Sequence, residues 1–468
     1  MKSNRRDFLK ASGVAGIGLA GAAAWIPAKA EQHAEAQRRR KHFNMCGYAA
    51  PKLETVRVGF VGLGSRGPAA VKRMSQIEGV EIKALCDVRP ERAEEARKML
   101  ANTPHNPKLY TAGENDWKRM CESNEIDLLY IATPWKLHTP MAVYAMENNI
   151  HAATEIPAAQ TIDECWQLVE TSERTRKHCI MLENCCYDFF ELLVLNMARQ
   201  GFFGEIIHGE GAYIHELITH NFDKNGYHNM WRLKENMRNG NLYPMHGLGP
   251  IAQVLNVNRG DRMDYLVSMS SNDFMMADKA NELAAKDDFY KPYANKKYRG
   301  NINTTTIRTV NGKTMMMQHD VTSPRPYSRI HLVSGTKGTA LKYPQPKISR
   351  SHEGWISDAE FKELEEKYAP PIVKRVGELA KKVGGHGGMD FLMDWRLIDC
   401  LRNGLPLDMD VYDAAAWSAV IPLSEQSVAN RSKALDIPDF TSGSWKQNQP
   451  VDISLSQGGN TKVLLAGE

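Results

Sequence analysis

The sequence predicts an α/β protein: an N-terminal doubly wound parallel sheet, followed by an α+β domain on an open, largely antiparallel sheet. Three observations predict it. Between residues 55 and 184, short apolar runs alternate with stretches of helical length, the grammar of βαβ units. The first run leads straight into Gly62-Leu63-Gly64-Ser65-Arg66-Gly67. After about residue 185, strand-like runs succeed one another with few helices between them.

Val56 to Val61 is an apolar run of strand length, and Pro68 to Gln76 has helical character. Val80 to Cys86 is a second strand ending at Asp87, and Pro90 opens a helix at a position where its missing N–H is harmless. Ile126 to Ala132 and His151 to Thr154 give two more strands. A helix from Thr161 to Arg176 and a strand from Cys179 to Leu182 complete the first domain. In the second, Ile206 to Tyr213, Tyr265 to Ser270, Thr304 to Val310, Lys313 to Gln318 and Arg329 to Val333 read as strands. Asn311-Gly312 supplies a two-residue hairpin turn. Helices from Met389 to Arg402 and Val411 to Ser432 close the chain.

With 468 residues, 42% hydrophobic and 24% charged, the composition excludes a disordered, collagenous or polytopic membrane protein. Lys and Arg total 59 against 55 Asp and Glu, and a net charge of +4 gives no electrostatic reason to expect nucleic acid. The eight cysteines show no metal-knuckle spacing and read as buried thiols. No metal is expected: His215, His220 and His228 match no ligand motif and read as a solvated loop.

Residues 1–30 read as an export signal. Asn4-Arg5-Arg6-Asp7-Phe8-Leu9-Lys10 resembles the twin-arginine motif, with Asn4 in place of the usual Ser or Thr. Gly13 to Ile26 is apolar but too short and weak for a stable membrane span, and Ala28-Lys29-Ala30 supplies a small-x-small cleavage site. Periplasmic or other export is therefore expected, with residues 31–54 a polar, basic arm. The open sheet face makes a second copy of the chain a candidate partner.

The glycine loop follows a strand and opens a helix, and Asp87 stands at a strand end twenty residues after Gly67. That context is the dinucleotide-binding fingerprint of a Rossmann domain. Gly62 permits the tight turn, and Gly64 lets the backbone approach the pyrophosphate at a helix N-terminus. Asp87 accepts from ribose hydroxyls and repels a 2′-phosphate, which favours NAD, although Arg66 and Arg89 leave NADP open.

Ala132-Thr133-Pro134-Trp135-Lys136-Leu137-His138 resembles the Ala-Thr-Pro-x-x-x-His segment of the glucose-fructose oxidoreductase and inositol dehydrogenase family. Where that family reads Glu-Lys-Pro, this chain has Glu155-Ile156-Pro157, so Ile156 replaces the usual catalytic Lys. Glu-hydrophobic-Pro, Asn184, the block Tyr243-Pro244-Met245-His246-Gly247-Leu248-Gly249-Pro250, Asn258-Arg259-Gly260-Asp261-Arg262 and Gly384 to Asp390 together resemble glycoside hydrolase family 109. The resemblance covers nearly the whole chain. It implies an NAD-dependent α-N-acetylgalactosaminidase, with domains at 55–184 for NAD and 185–468 for substrate and assembly. It places Gly64, Ser65, Arg66, Asp87, Trp135, His138, Glu155, Ile156 and Asn184 at the cofactor. Tyr213, Tyr243 and His246 fall at the reacting sugar, with Arg232 and Tyr327 as sugar contacts.

The implied chemistry is hydride removal at C3, loss of the C2 proton, departure of the aglycone from C1, addition of water and return of hydride. It needs a nicotinamide close to C3 and acid–base groups around C2 and C3, not the paired carboxylates of ordinary glycosidases. Tyr243 and His246, three residues apart, can face one cavity. His386 between paired glycines can line the site or serve a turn. Two other functions fit the motifs: an exported NAD(P)-dependent sugar dehydrogenase, and a non-catalytic sugar-binding protein that keeps NAD as a structural ligand.

Overall fold

The computed structural model describes residues 43–465. Residues 1–30, expected to form an export signal, and residues 31–42 of the expected arm lie outside them. Residues 44–54 run along the last two long helices, with the Met45 N–H donating to Tyr412 Oη at 3.0 Å and the Leu53 N–H to the Leu401 carbonyl.

Six parallel strands form the first sheet: β1 (Val56–Val61), β2 (Val80–Cys86), β3 (Lys108–Tyr110), β4 (Leu128–Ile131), β5 (His151–Thr154) and β6 (Cys179–Met181). Their order is β3-β2-β1-β4-β5-β6. The chain winds outward from β1 in both directions, so the order reverses between β1 and β4, where ligands bind in doubly wound sheets. β4, β5 and β6 are buried at every residue, as expected for parallel strands covered on both faces. Five helices connect them: α1 (Gly67–Met74), α2 (Pro90–Lys98), α3 (Asp116–Glu122), α4 (His138–Glu147) and α5 (Ile162–Thr175). A capping box starts α5: Thr161 Oγ1 accepts from the Glu164 N–H, and the Glu164 carboxylate accepts from the Thr161 N–H.

After α6 (Phe189–Arg199) comes an eight-stranded sheet. Its strands are β7 (Ile206–Ile214), β8 (Met263–Ser270), β9 (Ile302–Thr309), β10 (Thr314–Asp320), β11 (Leu332–Gly335), β12 (Gly338–Leu341), β13 (Lys347–Ser349) and β14 (Leu435–Asp436). The order is β13-β12-β11-β7-β10-β9-β8-β14, and β7 with β10 is its one parallel pair. β9 alternates buried and accessible residues along its length, the mark of a sheet with one wet face. The chain also supplies α7 (Ile218–Asn221), α8 (Trp231–Glu235), α9 (Met245–Val254), α10 (Met276–Ala284), α11 (Asp358–Tyr368), α12 (Pro371–Val383), α13 (Met389–Asn403) and α14 (Val411–Ala429), of which α9 packs on β7 and β10 and α14 on β8. Helix α13 packs on β1 and α1, and α14 packs on α5, β6 and β8, joining the two sheets into one core around Trp395 and Trp417.

Helix α9 crosses β7 at very short range. A Cβ on Gly211 would lie 2.6 Å from the Gly247 backbone, and one on Gly247 would lie 2.3 Å from the Ala212 nitrogen. This approach sets the start of α9 beside the end of β7. A separate apolar cluster of Phe222, Met230, Leu233, Met276, Ala280, Tyr290 and Tyr298 supports the segment carrying Tyr227, Trp231 and Arg232.

One expected strand is shorter than its apolar pattern. Arg329 to Val333 becomes a strand only at Leu332, because Ile330 and His331 take φ of 59° and 50°. The last helix ends at Ala429 and not Ser432, which has φ of 62°. All eight cysteines are free and seven are buried. No helix among the described residues is long and apolar enough to cross a membrane.

Candidate active site

A cavity of about 770 Å³ opens at the C-terminal ends of β1, β4 and β5 and continues to the end of β7 and the start of α9. All nine expected cofactor residues line it, as do Tyr213, Arg232, Tyr243 and His246; Tyr327 does not.

At its dinucleotide end the glycines are sterically required. Gly62 has φ of 89°, and a Cβ there would sit 2.6 Å from the Ala132 carbonyl. A Cβ on Gly67 would meet the Gly62 oxygen at 2.1 Å. Gly64 differs: only the Arg89 side chain comes within 4 Å of its Cβ position, at 3.7 Å, so its backbone faces open space. Such a bare cradle at the start of α1 suits a pyrophosphate. Asp87 braces it, with Oδ2 accepting from the Leu63 N–H at 2.6 Å and Oδ1 from the Arg89 N–H at 2.9 Å. Each carboxylate oxygen keeps a lone pair for a ribose hydroxyl. The buried Arg89 Nε lies 3.9 Å from Asp87 Oδ1 and makes no hydrogen bond among the described residues, which leaves a donor beside that position.

Arg66 turns inward, its Nε donating to Glu155 Oε1 at 3.1 Å and its Nη1 to Asp390 Oδ2 at 3.4 Å. Burial would raise the Asp390 carboxyl, but His386, Arg66 and Arg73 outweigh it and hold the pKa below the ordinary value. Asn184 donates to the other Asp390 oxygen. Ile156, only 3% exposed, makes an apolar wall where an oxidoreductase of this motif carries Lys. His138 serves differently from expectation. Its Nδ1 lies 2.6 Å from the Pro157 carbonyl and its Nε2 2.8 Å from that of Thr133. Each nitrogen faces a carbonyl, and a neutral ring donates to one of the two, so this side chain ties the loops after β4 and β5 together.

At the other end, three rings meet. Tyr213 lies 4.8 Å from Tyr243 and 5.2 Å from His246, and Tyr243 lies 5.1 Å from His246, centroid to centroid. Burial pushes both phenols up and Arg232 opposes it. Arg232 sits over the rings of Trp135, Tyr227, Trp231 and Tyr243 at 5.1–5.8 Å and has no carboxylate partner among the described residues. Trp135 stacks on Tyr243 at 5.5 Å.

Sequence reasoning missed two partners. Glu183, fully buried, accepts from His246 Nδ1 at 2.8 Å through Oε1, which also accepts from the Cys185 N–H at 2.9 Å. With Nδ1 carrying the proton, His246 Nε2 is left as an acceptor. Nothing local announces this pair, 63 residues apart. His215, expected in a solvated loop, lines the cavity with Nδ1 3.0 Å from Tyr213 Oη. The strand period was the available signal, since residues two apart share a face. Tyr327 stands behind His215, their ring centroids 5.1 Å apart, and its Oη accepts from Arg329.

Glu183, Cys185 and His246 bring three ligand-type atoms within 4.8 Å of one another. The hydrogen bonds that Glu183 Oε1 accepts from His246 Nδ1 and the Cys185 N–H account for that grouping. His386 lines the rim on five consecutive left-handed residues, Gly384 to Gly388, and its Nδ1 meets Asp390 Oδ2 at 2.9 Å.

Comparison with known proteins divides the chain in the same terms. A family model described as an oxidoreductase family with an NAD-binding Rossmann fold matches residues 56–183, and one described as the C-terminal domain of glycosyl hydrolase 109 matches residues 187–447. An alpha-N-acetylgalactosaminidase of Bacteroides fragilis is 52% identical over 412 residues, covering 86% of this chain and 96% of its own length. A glycosyl hydrolase family 109 protein of Shewanella pealeana is 44% identical over 463 residues, covering 97% and 99%. Among solved structures, levoglucosan dehydrogenase in complex with NADH and L-sorbose superposes with a TM-score of 0.61 at 16% identity. That match covers 83% of this chain and 100% of the other.

Proposed function

This chain belongs to glycosyl hydrolase family 109, and on that basis we propose that it hydrolyses terminal α-N-acetylgalactosaminides with a retained, internally recycled NAD. One observation carries the reading: the glycine cradle with Asp87 opens into the same cavity as Tyr213, Tyr243 and His246. Of the carboxylates lining that cavity among the described residues, Asp87 and Glu114 lie at its dinucleotide end, and the one that acts on Tyr243, Glu155, is paired with Arg66. Displacement by two carboxylates flanking the glycosidic bond has no pair to use at the sugar.

The bare glycine backbone, the free lone pairs on Asp87 and the Arg89 Nε donor that makes no hydrogen bond among the described residues fit a dinucleotide. NAD held by these residues would supply reversible hydride transfer at C3 of the sugar. His246 Nε2, with Glu183 behind it, takes the proton of the 3-hydroxyl and returns it at the end. Tyr213 takes the C2 proton once the 3-ketone has acidified it, the C1–C2 double bond forms and the aglycone leaves. Arg232, a cation over ring faces with no carboxylate partner among the described residues, donates to sugar or acetamido oxygens. The stacked Trp135 and Tyr243 and the apolar Ile156 keep bulk water from the reacting carbons.

The test is hydrolysis of p-nitrophenyl α-N-acetylgalactosaminide by purified protein with no cofactor added. Nitrophenol release, with NAD in the denatured supernatant, is expected. Net NADH production only with added NAD and a free sugar would mark a dehydrogenase, and neither outcome a binding protein. The twin-arginine motif at Asn4 to Lys10 supports a second proposal, export of the folded, loaded protein. Replacing Arg5 and Arg6 by Lys should retain it in the cytoplasm; unchanged fractionation would refute export by that route.

A further inference from the structure

We propose that His215 relays protons between Tyr213 and solvent, so that the two side chains act as one acid–base unit. The inference rests on the redox–elimination reading above and assigns one of its protons a path.

Tyr213 is 7% exposed, and burial holds its phenol protonated. A neutral phenol is a poor base unless its own proton has somewhere to go. The one side-chain hydrogen bond of Tyr213 Oη among the described residues is to His215 Nδ1, at 3.0 Å. Tyr213 lies within β7 and His215 directly after its end, so extended backbone turns both side chains to one side. His215 is only partly buried and lines the cavity. Burial, Arg232 and His246 keep its ring below the ordinary imidazole pKa, against the opposing pull of Glu216. With its proton on Nε2, the neutral ring accepts at Nδ1 from Tyr213 Oη. Tyr327, edge-on to the ring and anchored by Arg329, fixes its plane.

The step balances within these groups and the sugar. Tyr213 Oη takes the C2 proton as its own proton passes to His215 Nδ1. The C2–H electron pair becomes the C1–C2 double bond, and the C1–O pair leaves with the aglycone. The imidazolium then releases its Nε2 proton to water at the cavity mouth. Addition of water at C1 runs the relay backwards.

Three variants of the full-length protein test it. His215→Ala should lose about 10²-fold or more in kcat, and added imidazole should restore at least tenfold of it. His215→Gln keeps an acceptor for Tyr213 Oη and should keep the wild-type Tm, yet stay slow and unrescued. In D2O, product from His215→Gln should carry less deuterium at C2 than wild-type product, because a proton stranded on Tyr213 returns to the carbon it left. Tyr213→Phe should be slow and insensitive to imidazole. A wild-type rate in His215→Ala or His215→Gln, or a loss in His215→Ala that imidazole does not restore, would overturn the relay. Failure of the underlying reading looks different: wild-type product then holds protium at C2, and C2-deuterated substrate shows no primary isotope effect.

Discussion

Glu183→Gln and Glu183→Ala should slow turnover by very different amounts, and the difference follows from the hydrogen bonds around one oxygen. Glu183 Oε1 accepts from His246 Nδ1 at 2.8 Å and from the Cys185 N–H at 2.9 Å, while buried Oε2 has no partner. A glutamine can place its carbonyl oxygen where Oε1 stands and its amide where Oε2 stands. Both donors then keep an acceptor, His246 keeps its proton on Nδ1, and only the negative charge is lost. A bond to a charged acceptor contributes roughly 1.5–3 kcal/mol against about 0.5–1.5 for a neutral one. The difference of about 1–1.5 kcal/mol amounts to roughly tenfold in rate if the imidazolium forms in the transition state. Glu183→Ala removes the acceptor itself, frees the tautomer and opens a cavity beneath α9, so a loss of about 10²–10⁴-fold is expected. The assay is kcat on the nitrophenyl glycoside alongside Tm for both variants. A kcat within twofold of wild type in Glu183→Ala would refute the argument. So would equal losses in the two variants at equal Tm, because the geometry would then contribute nothing beyond the charge.

Other consequences can be checked separately. Gly62→Ala should cost on the order of 2–4 kcal/mol of stability and abolish NAD retention, since its Cβ meets the Ala132 backbone at 2.6 Å and φ is 89°; a dinucleotide-loaded variant with wild-type Tm would contradict this. Asp87→Ala should weaken NAD binding by more than Asp87→Asn, because the amide oxygen can still accept from the Leu63 N–H; equal affinities by calorimetry would show that bracing the loop is unimportant. Arg329 and Lys342 hold the buried Glu191 carboxyl at about 2, down from 4.5, against the upward push of burial. A lowered folded-state pKa means stability that is present above the unfolded value and lost as pH falls through 4.5 toward 2. Glu191→Gln should therefore be less stable at neutral pH and show a flatter acid-unfolding profile, and an unchanged profile would remove Glu191 from that account.

The sequence made the first domain legible because its signals are local. Apolar runs bounded by Gly and Asp gave the longer strands within a few residues, and the spacing from Gly62 to Asp87 marked the dinucleotide end. Helix α9 was hidden by its own composition: Gly247, Gly249 and Pro250 argue against a helix, and the two glycines are there because β7 and Glu183 lie too close for larger side chains. The strands β12 and β13, of four and three residues, are too short for an alternation to show. At the site, Tyr243 and His246 were visible as a motif, whereas Glu183 belongs to His246 only after two domains have packed. His138 looked like a ligand because it follows a strand end, and only the fold shows that its nitrogens face the carbonyls of Thr133 and Pro157. Tyr327 matched by spacing alone, and the turn through Ile330 and His331 leaves it behind His215.

The most direct test of hydrolysis through transient oxidation is the kinetic isotope effect on glycoside cleavage by the purified protein without added cofactor, using substrates deuterated at C3 and at C2. The account requires both C–H bonds to break before the aglycone leaves, and it predicts a primary effect at one or both positions. Direct displacement at C1 breaks neither bond. Effects of unity at both carbons, in protein that cleaves the substrate, would contradict the account even with NAD bound.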